Sequence, residues 1–545
     1  MRHTKFLLCL ILILALLMPA AGLSEADVMT PYGKYPETVV LRTAKRSDAQ
    51  PNLLPGDDVA NNPMTRYIKD KVNVEIQVDW EVEGSEFANK LSLMLVSGSL
   101  PDMFTLGAGD YLLFRQLMEN DMLEDLSSAY EACANDHIKN TIGPNGSYDG
   151  RNLDPFYGED GKLYAFAGGR YGYEHNQLWL REDWLQAAGL SAPKTIDDLA
   201  NILRTWKENP PVENYTAMPL HHLSVGGVYD SLSASPIFAA FHAYPGAWIE
   251  DENGEIVWGS TMPGVKEGLR VLAEWYKEGL IDQQFVTRTA GGVKEALITG
   301  GQAGAAFAPW WFVYPIGDFP KNNPDGLILP HNAPLDADGK FNITFPGAAG
   351  DYVMVRKGYE HPEAIFKVIN CEFDMWRQFD EEAANLIQAT RDNNVSWTYL
   401  FPTSGFNVEP NDVIPVVGNL ARAMVETGSI EGVESGNPMN IDMAKRAAQY
   451  AKDGKAEGMN WIDYYGRYIA SNLMDTPEVN IIYPAYSFVT ESMADLKPNL
   501  DTLEQTTFLK IVVGELPVDA FDQFVEDWHA QGGQRMIDEV KAMIK

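Results

Sequence analysis

Cysteine is nearly absent: the 545-residue chain has three, Cys9, Cys133 and Cys371. That excludes a disulfide-stapled scaffold. Pairing of Cys133 with Cys371 is left open by sequence, and buried free thiols are the expected state. Basic residues are also scarce, 42 against 76 acidic ones, for a net charge of −34. A chain so acidic repels phosphate backbones and anionic membrane surfaces, so no nucleic-acid partner is expected. Long apolar runs are missing too. Phe6 to Met18 is apolar throughout, but its 13 residues fall short of the roughly 20 that span a bilayer as a helix. Arg2 and Lys5 precede that run and Pro19-Ala20-Ala21-Gly22 closes it, the layout of a secretory leader. The alternative is a buried core helix. Cleavage is expected after Ala26, with Gly22 as the other candidate, so residues 1–26 are assigned to a signal peptide. Cys9 follows Leu8 inside the run and does not form a lipobox. The mature chain is therefore expected to be exported, periplasmic or extracellular, and associated with the cell surface by other means.

Catalytic signatures are absent as well. The chain has no G-x-S-x-G elbow, no H-E-x-x-H and no phosphate-binding G-x-x-x-x-G-K-[ST]. Gly300-Gly301-Gln302-Ala303-Gly304 lacks the lysine and hydroxyl of a phosphate loop and is read as a tight turn into a strand. His221 and His222 are adjacent, so their side chains diverge and suit no shared metal. Asp251-Glu252-Asn253-Gly254 and Asp336-Ala337-Asp338-Gly339 begin like calcium loops, but glycine comes too early and no glutamate stands at the twelfth position. Both read as hairpin turns. No cofactor or metal is expected. A glycosidase needs only two carboxylates. Glu182, Asp183, Glu372 and Asp374 could be named without preference, so a secreted glycoside hydrolase remains an alternative.

What the chain does have is α/β patterning. Val39-Val40-Leu41 is a short apolar strand, Asn62-Pro63 opens a helix, and Val72 to Trp80 alternates with the period of a strand. A helix over Phe87, Leu91, Met94 and Leu95 and a strand over Met103 to Leu106 complete a parallel unit with helices on its faces. Thr195, with Asp198 three residues on, is a capping box ahead of Ile196, Leu199, Ile202, Leu203 and Trp206. Pro263 and Pro362 open further helices, the first ending at Gly279. Trp248-Ile249 and Ile256-Val257-Trp258 flank the hairpin turn Asn253-Gly254. Aromatic residues make up 11% of the chain, which permits a sugar site.

Several segments resemble family 1 extracellular solute-binding proteins, in the order that family has them. They are Leu91 to Phe104 with its Ser-Gly-Ser-Leu-Pro-Asp core; Leu178-Trp-Leu-Arg-Glu-Asp-Trp-Leu185 with Ala188-Gly-Leu190 and Pro193-Lys-Thr195; Trp275 to Asp282; Gly301 to Trp311; and Tyr352 to Lys357 with His361-Pro-Glu-Ala364. The tail, Thr507 to Gly514 and Phe521 to Trp528, resembles the large oligosaccharide-associated branch. The resemblance implies an α/β, two-lobed periplasmic-binding-protein-like fold (type II) with a hinge between lobes. Lobe 1 is expected at 27–170 plus 303–357, and lobe 2 at 171–302 plus 358–545. It also implies a non-enzymatic monomer, an oligosaccharide ligand and ABC permease subunits as partners. A peptide or another polar solute on the same fold is the alternative. Lys207 to Asn214 replaces the calcium loop of some members, so calcium is not implied. In this fold, Trp310 and Trp311 follow the strand Ala303–Ala308 at the cleft edge, and one of the two rings is expected to stack on the ligand, the alternative being both in the core. Trp248 is expected to serve the other lobe, Phe104 and Thr105 to reach the cleft from a strand end, and Tyr173, Glu174 and His175 to sit near the hinge.

Overall fold

The computed structural model describes residues 28–47, 52–148, 150–223, 231–288, 291–347, 349–393, 395, 400–403, 406–433 and 437–544. The expected leader, 1–26, lies outside them. In chain order the elements that frame the cleft begin with β1 (Val39–Ser47), α1 (Pro63–Val72), β2 (Val74–Glu83), α2 (Gly84–Ser97) and β3 (Met103–Leu106). Helix α1 starts where the sequence says it must. The Asn62 side chain accepts from the amides of Met64 and Thr65, the Asn62 amide donates to the Thr65 hydroxyl, and Pro63 opens the first turn. Asn73, in the left-handed region at φ 58°, ends it and turns the chain into β2.

Next come β4 (Phe166–Gly169), β5 (Gln177–Arg181), α3 (Ile196–Glu208), β6 (Trp248–Glu250), β7 (Ile256–Trp258) and α4 (Pro263–Glu278). They are followed by β8 (Ala305–Ala308), β9 (Ile328–His331), β10 (Phe341–Thr344), β11 (Ala349–Val355), α5 (Ala364–Arg377), α6 (Val413–Thr427), β12 (Val479–Ile482), α7 (Glu491–Val512) and α8 (Ala520–Trp528). The expected capping box holds in α3: Thr195 Oγ accepts from the Asp198 amide and Asp198 accepts from the Thr195 amide. The expected Asn-Gly hairpin pairs Trp248 with Trp258 across β6 and β7.

Two principal sheets result. The first has the order β2-β1-β3-β11-β4, with β1 parallel to β2 and β3, and β11 antiparallel to β3 and β4. The second has the order β8-β5-β9, antiparallel throughout. A parallel pair, β10-β12, lies apart from both. Each principal sheet supports its own hydrophobic core. The first core runs from Tyr35 to Ala167 and resumes from Ala349 to Val408. The cores on the other side draw on residues 173–345 and 413–540.

That division differs from the expected boundaries in two places. Residues 303–347 were expected in lobe 1, yet β8 pairs with β5 and Phe307 packs in the second core. Residues from 358 onward were expected in lobe 2, yet Ile365, Val368 and Ile369 of α5 bury their faces in the first core. The physical reason is pairing: the fully buried strand Ala305–Ala308, three alanines and Phe307, fits beside the equally buried β5, a choice that apolar pattern alone does not make. Cys133 and Cys371 are buried free thiols.

The chain passes between the lobes at 170–176, 345–347 and 407–412. The first and third passages are tied together, because the Gly169 amide donates to the Asn407 carbonyl at 2.8 Å and the Gly172 amide to the Asn411 carbonyl at 2.7 Å.

Candidate ligand cleft

The parallel strands of the first sheet end on one edge, and loops at that edge face the second lobe. The first passage leaves this edge from β4. It carries Arg170, then Tyr173, Glu174 and His175. The Tyr173 ring stands edge-on to Phe345 at 4.9 Å. Glu174 is buried and accepts from the Trp310 indole at 3.3 Å and the Trp311 indole at 2.6 Å. The Arg467 guanidinium lies 3.8 Å from the Trp310 ring centroid. Burial pushes the Glu174 carboxyl up to about 7, against the two indole donors and Arg467. Burial also pushes the His175 imidazole down to about 3, so it is neutral at physiological pH.

Three cavities meet at this junction. The first, about 390 Å³, lies between the lobes: Ala108, Gly109 and Arg170 close it on one side, and Tyr244, Trp248, Trp258, Phe345, Tyr486 and Phe488 supply apolar rings. Ser233, Ser235, Asn176, Thr344 and Ser487 supply hydroxyls and an amide. The second, about 560 Å³, shares Arg170, Phe345, Pro484, Tyr486, Ser487 and Phe488 with the first and adds Tyr111, Tyr148, Arg151 and Tyr483. The third, about 380 Å³, lies against α5 and is lined by Arg170, Asp351, Trp376 and Phe406. Flat rings beside hydroxyls and amides make a surface that takes the C–H faces and the hydroxyl rim of a polar ring compound. Several wall atoms have no protein partner: both ring nitrogens of His175 and the Tyr486 hydroxyl are buried and unbonded among the described residues. A buried polar group of that kind is satisfied by water or by a ligand.

Of the residues expected at the site, the structure brings His175 and Trp248 to the first cavity. Trp248 is buried, 4.9 Å from the ring of Trp258, and its carbonyl accepts from the Ala485 amide at 2.8 Å, tying the hairpin to the segment that carries Tyr486. Tyr173 and Glu174 lie on the passage between the lobes. Trp310 and Trp311 are gathered on Glu174 rather than on a cavity wall described above, Trp310 buried and Trp311 half-buried. Phe104 has no exposure and sits in the first core, and Thr105 is 7% exposed; both point into the sheet's packing rather than to these cavities. Sequence reading missed Arg170, Tyr244, Phe345, Tyr483, Tyr486 and Phe488. The available signal was local: Phe345-Pro346-Gly347 and Pro484-Ala485-Tyr486-Ser487-Phe488 put rings in turn-forming stretches, where side chains escape the core.

Two α/β lobes, joined by three chain passages and holding a ring-lined cavity between them, define a binding protein of the two-lobed, hinge-closing class. The sequence of the bacterial extracellular solute-binding protein family matches residues 55–371, and the chain belongs to that family. Among individual relatives, the fructooligosaccharide ABC transporter substrate-binding protein FusA of Streptococcus pneumoniae is 27% identical over 264 residues, 45% of each chain. The chain therefore spans under half the length of that relative in the match. The polygalacturonan/rhamnogalacturonan-binding protein YtcQ of Bacillus subtilis is 19% identical over 89% of each chain. In fold, the chain is similar to an EF-hand mutant of S. pneumoniae FusA in complex with fructo-nystose, with a TM-score of 0.61 at 16% identity over 93% of this chain and 98% of that one. Among the described residues no helix is long and apolar enough to cross a membrane.

Proposed function

We propose that this protein captures an oligosaccharide between its lobes, outside the cytoplasmic membrane, and as a monomer hands it unaltered to the permease of an ABC importer. The observation that carries this reading is the first cavity. Both lobes contribute to it, and it alternates aromatic rings with hydroxyls and amides. Relatives support the ligand class, FusA being named for fructooligosaccharides, which are neutral, and YtcQ for polygalacturonan, which is acidic. A ligand that touches both walls binds the closed arrangement better than the open one, so it shifts the population toward closure. The permease then distinguishes loaded from empty protein by shape.

The test is a thermal-shift screen against neutral and acidic oligosaccharides, followed by small-angle scattering with any hit and chromatography of the recovered sugar. The expected result is stabilisation, a smaller radius of gyration and a ligand returned intact. Cleavage of the sugar would instead establish a glycoside hydrolase, and stabilisation by peptides alone would move the ligand class.

A further inference from the structure

The three cavities share one side chain, Arg170. Its backbone is held firmly. It follows β4, the Tyr148 hydroxyl donates to its carbonyl at 2.7 Å, and a Cβ on the preceding Gly169 would come within 2.2 Å of that hydroxyl. The side chain therefore starts from a fixed point at the mouth of the sheet edge. Its guanidinium is half-buried and makes no hydrogen bond or ion pair among the described residues. Other arginines nearby are engaged. Arg46 faces Asp110 at 3.5 Å and Asp351 at 3.9 Å, Arg377 pairs with Glu409, and Arg151 donates to the Tyr148 carbonyl at 3.4 Å. Asp351 feels the charge of Arg170 but lies outside ion-pair distance of it.

The wall of the first cavity reverses the charge of the molecule, whereas Asp154 stands on the second and Asp351 and Glu372 on the third. In a chain with 76 acidic residues and a net charge of −34, no aspartate or glutamate lines the first cavity among the described residues, whereas Arg170 and Lys497 do. Lys497 is held by Asp501 at 2.7 Å, which leaves Arg170 as the first cavity's cation with no carboxylate in hydrogen-bond or ion-pair contact among the described residues. A planar, half-buried guanidinium with its donors unused matches a carboxylate or a sulfate in two parallel hydrogen bonds. An acidic exterior around a first cavity that lacks carboxylates also directs an anion toward that one point.

We propose that the solute is an acidic oligosaccharide whose oxyanion, a uronic-acid carboxylate or a sulfate ester, seats on Arg170 where the three cavities meet. This rests on the reading of the cleft as a sugar site.

The test uses calorimetric titration with size-matched pairs: oligogalacturonates against their methyl esters for the carboxylate, and sulfated oligosaccharides against their desulfated forms for the sulfate. The expected result is that the charged member of at least one pair binds tenfold or more tighter than its neutral counterpart. The pair that discriminates identifies the oxyanion. Affinity should fall as salt rises, Arg170→Gln should bring the two members of that pair within about twofold, and Arg170→Lys should keep part of the difference. Melting of both variants without ligand shows whether they fold. Neutral members binding as well as charged ones to the native protein would overturn the acidic-ligand assignment and leave the oligosaccharide reading standing. Discrimination that survives unchanged in Arg170→Gln would overturn the role of Arg170. Failure of every glycan, charged or neutral, would overturn both readings together.

Discussion

Glu174 sits at an unusual electrostatic compromise. Its carboxylate accepts from two indoles, yet it is buried enough that its carboxyl is pushed from an ordinary 4.5 up to about 7. Between those values the folded protein holds a proton that the unfolded chain has released. The stability this site contributes is therefore full below about pH 4.5 and is lost as pH rises through about 7. The size of the effect is on the order of 3 kcal/mol. Glu174→Gln removes the titration, so the melting temperature of the variant should decline less between pH 5 and 8 than that of the parent. Parallel pH profiles would show that another group carries the slope. A second residue is better suited to a binding test. Tyr483 is 51% exposed, lines the second cavity and stands edge-on to Phe345 at 5.3 Å. Tyr483→Ala should leave stability within about 0.5 kcal/mol and weaken sugar binding about tenfold, or about 1.4 kcal/mol. An unchanged affinity in titration would remove the second cavity from the ligand's path. These two residues also mark how far sequence reached. Glu174 stood out because it precedes a strongly patterned block. Tyr483 did not, because nothing in composition separates a ring on a cavity wall from one packed in a core. Trp310 and Trp311 illustrate the converse. Their place after the strand Ala303–Ala308 pointed to the cleft edge, but a buried carboxylate on another segment holds both indoles.

At the scale of elements, sequence was most informative where local chemistry decides the outcome. The capping box at Thr195 and Asp198, the turn at Asn253-Gly254 and the period-2 run feeding β2 rest on interactions within a few residues, and each is present. The same logic predicts the cost of removing one. Thr195→Ala deletes the acceptor for the Asp198 amide at 3.1 Å and should lower stability by about 1 kcal/mol, read as an earlier urea midpoint. Thr195→Ser should restore most of it, and an Ala variant as stable as the parent would mean the start of α3 is held by its packing alone. Long-range pairing was not legible in the same way. Ala305–Ala308 offers four buried residues with no polar alternation, so nothing in its pattern distinguishes the second sheet from the first. Helix α5 likewise shows an amphipathic face without naming the sheet that covers it.

The two lobes become one molecule through the passages at 170–176, 345–347 and 407–412, and these are packed directly against one another. A Cβ on Gly172 would lie 2.4 Å from the Phe345 ring and 3.0 Å from the Asn411 carbonyl, so all three passages meet at this glycine. Phe345 cannot simply swing aside, because it is 5% exposed and braced by Tyr173. Gly172→Ala therefore has to push the passages apart, at a cost of about 1–3 kcal/mol. Because Phe345 also lines the first two cavities, the same displacement alters the angle at which the lobes approach the ligand. For the parent protein, ligand at a hundred times its dissociation constant should add about 2.7 kcal/mol of stability. In Gly172→Ala that gain should shrink at the same ligand concentration, and scattering should register a smaller change in radius of gyration on binding. If the variant loses stability but closes on its ligand as tightly as the parent, the passages are a passive tether, and the lobes are aligned by the ligand alone.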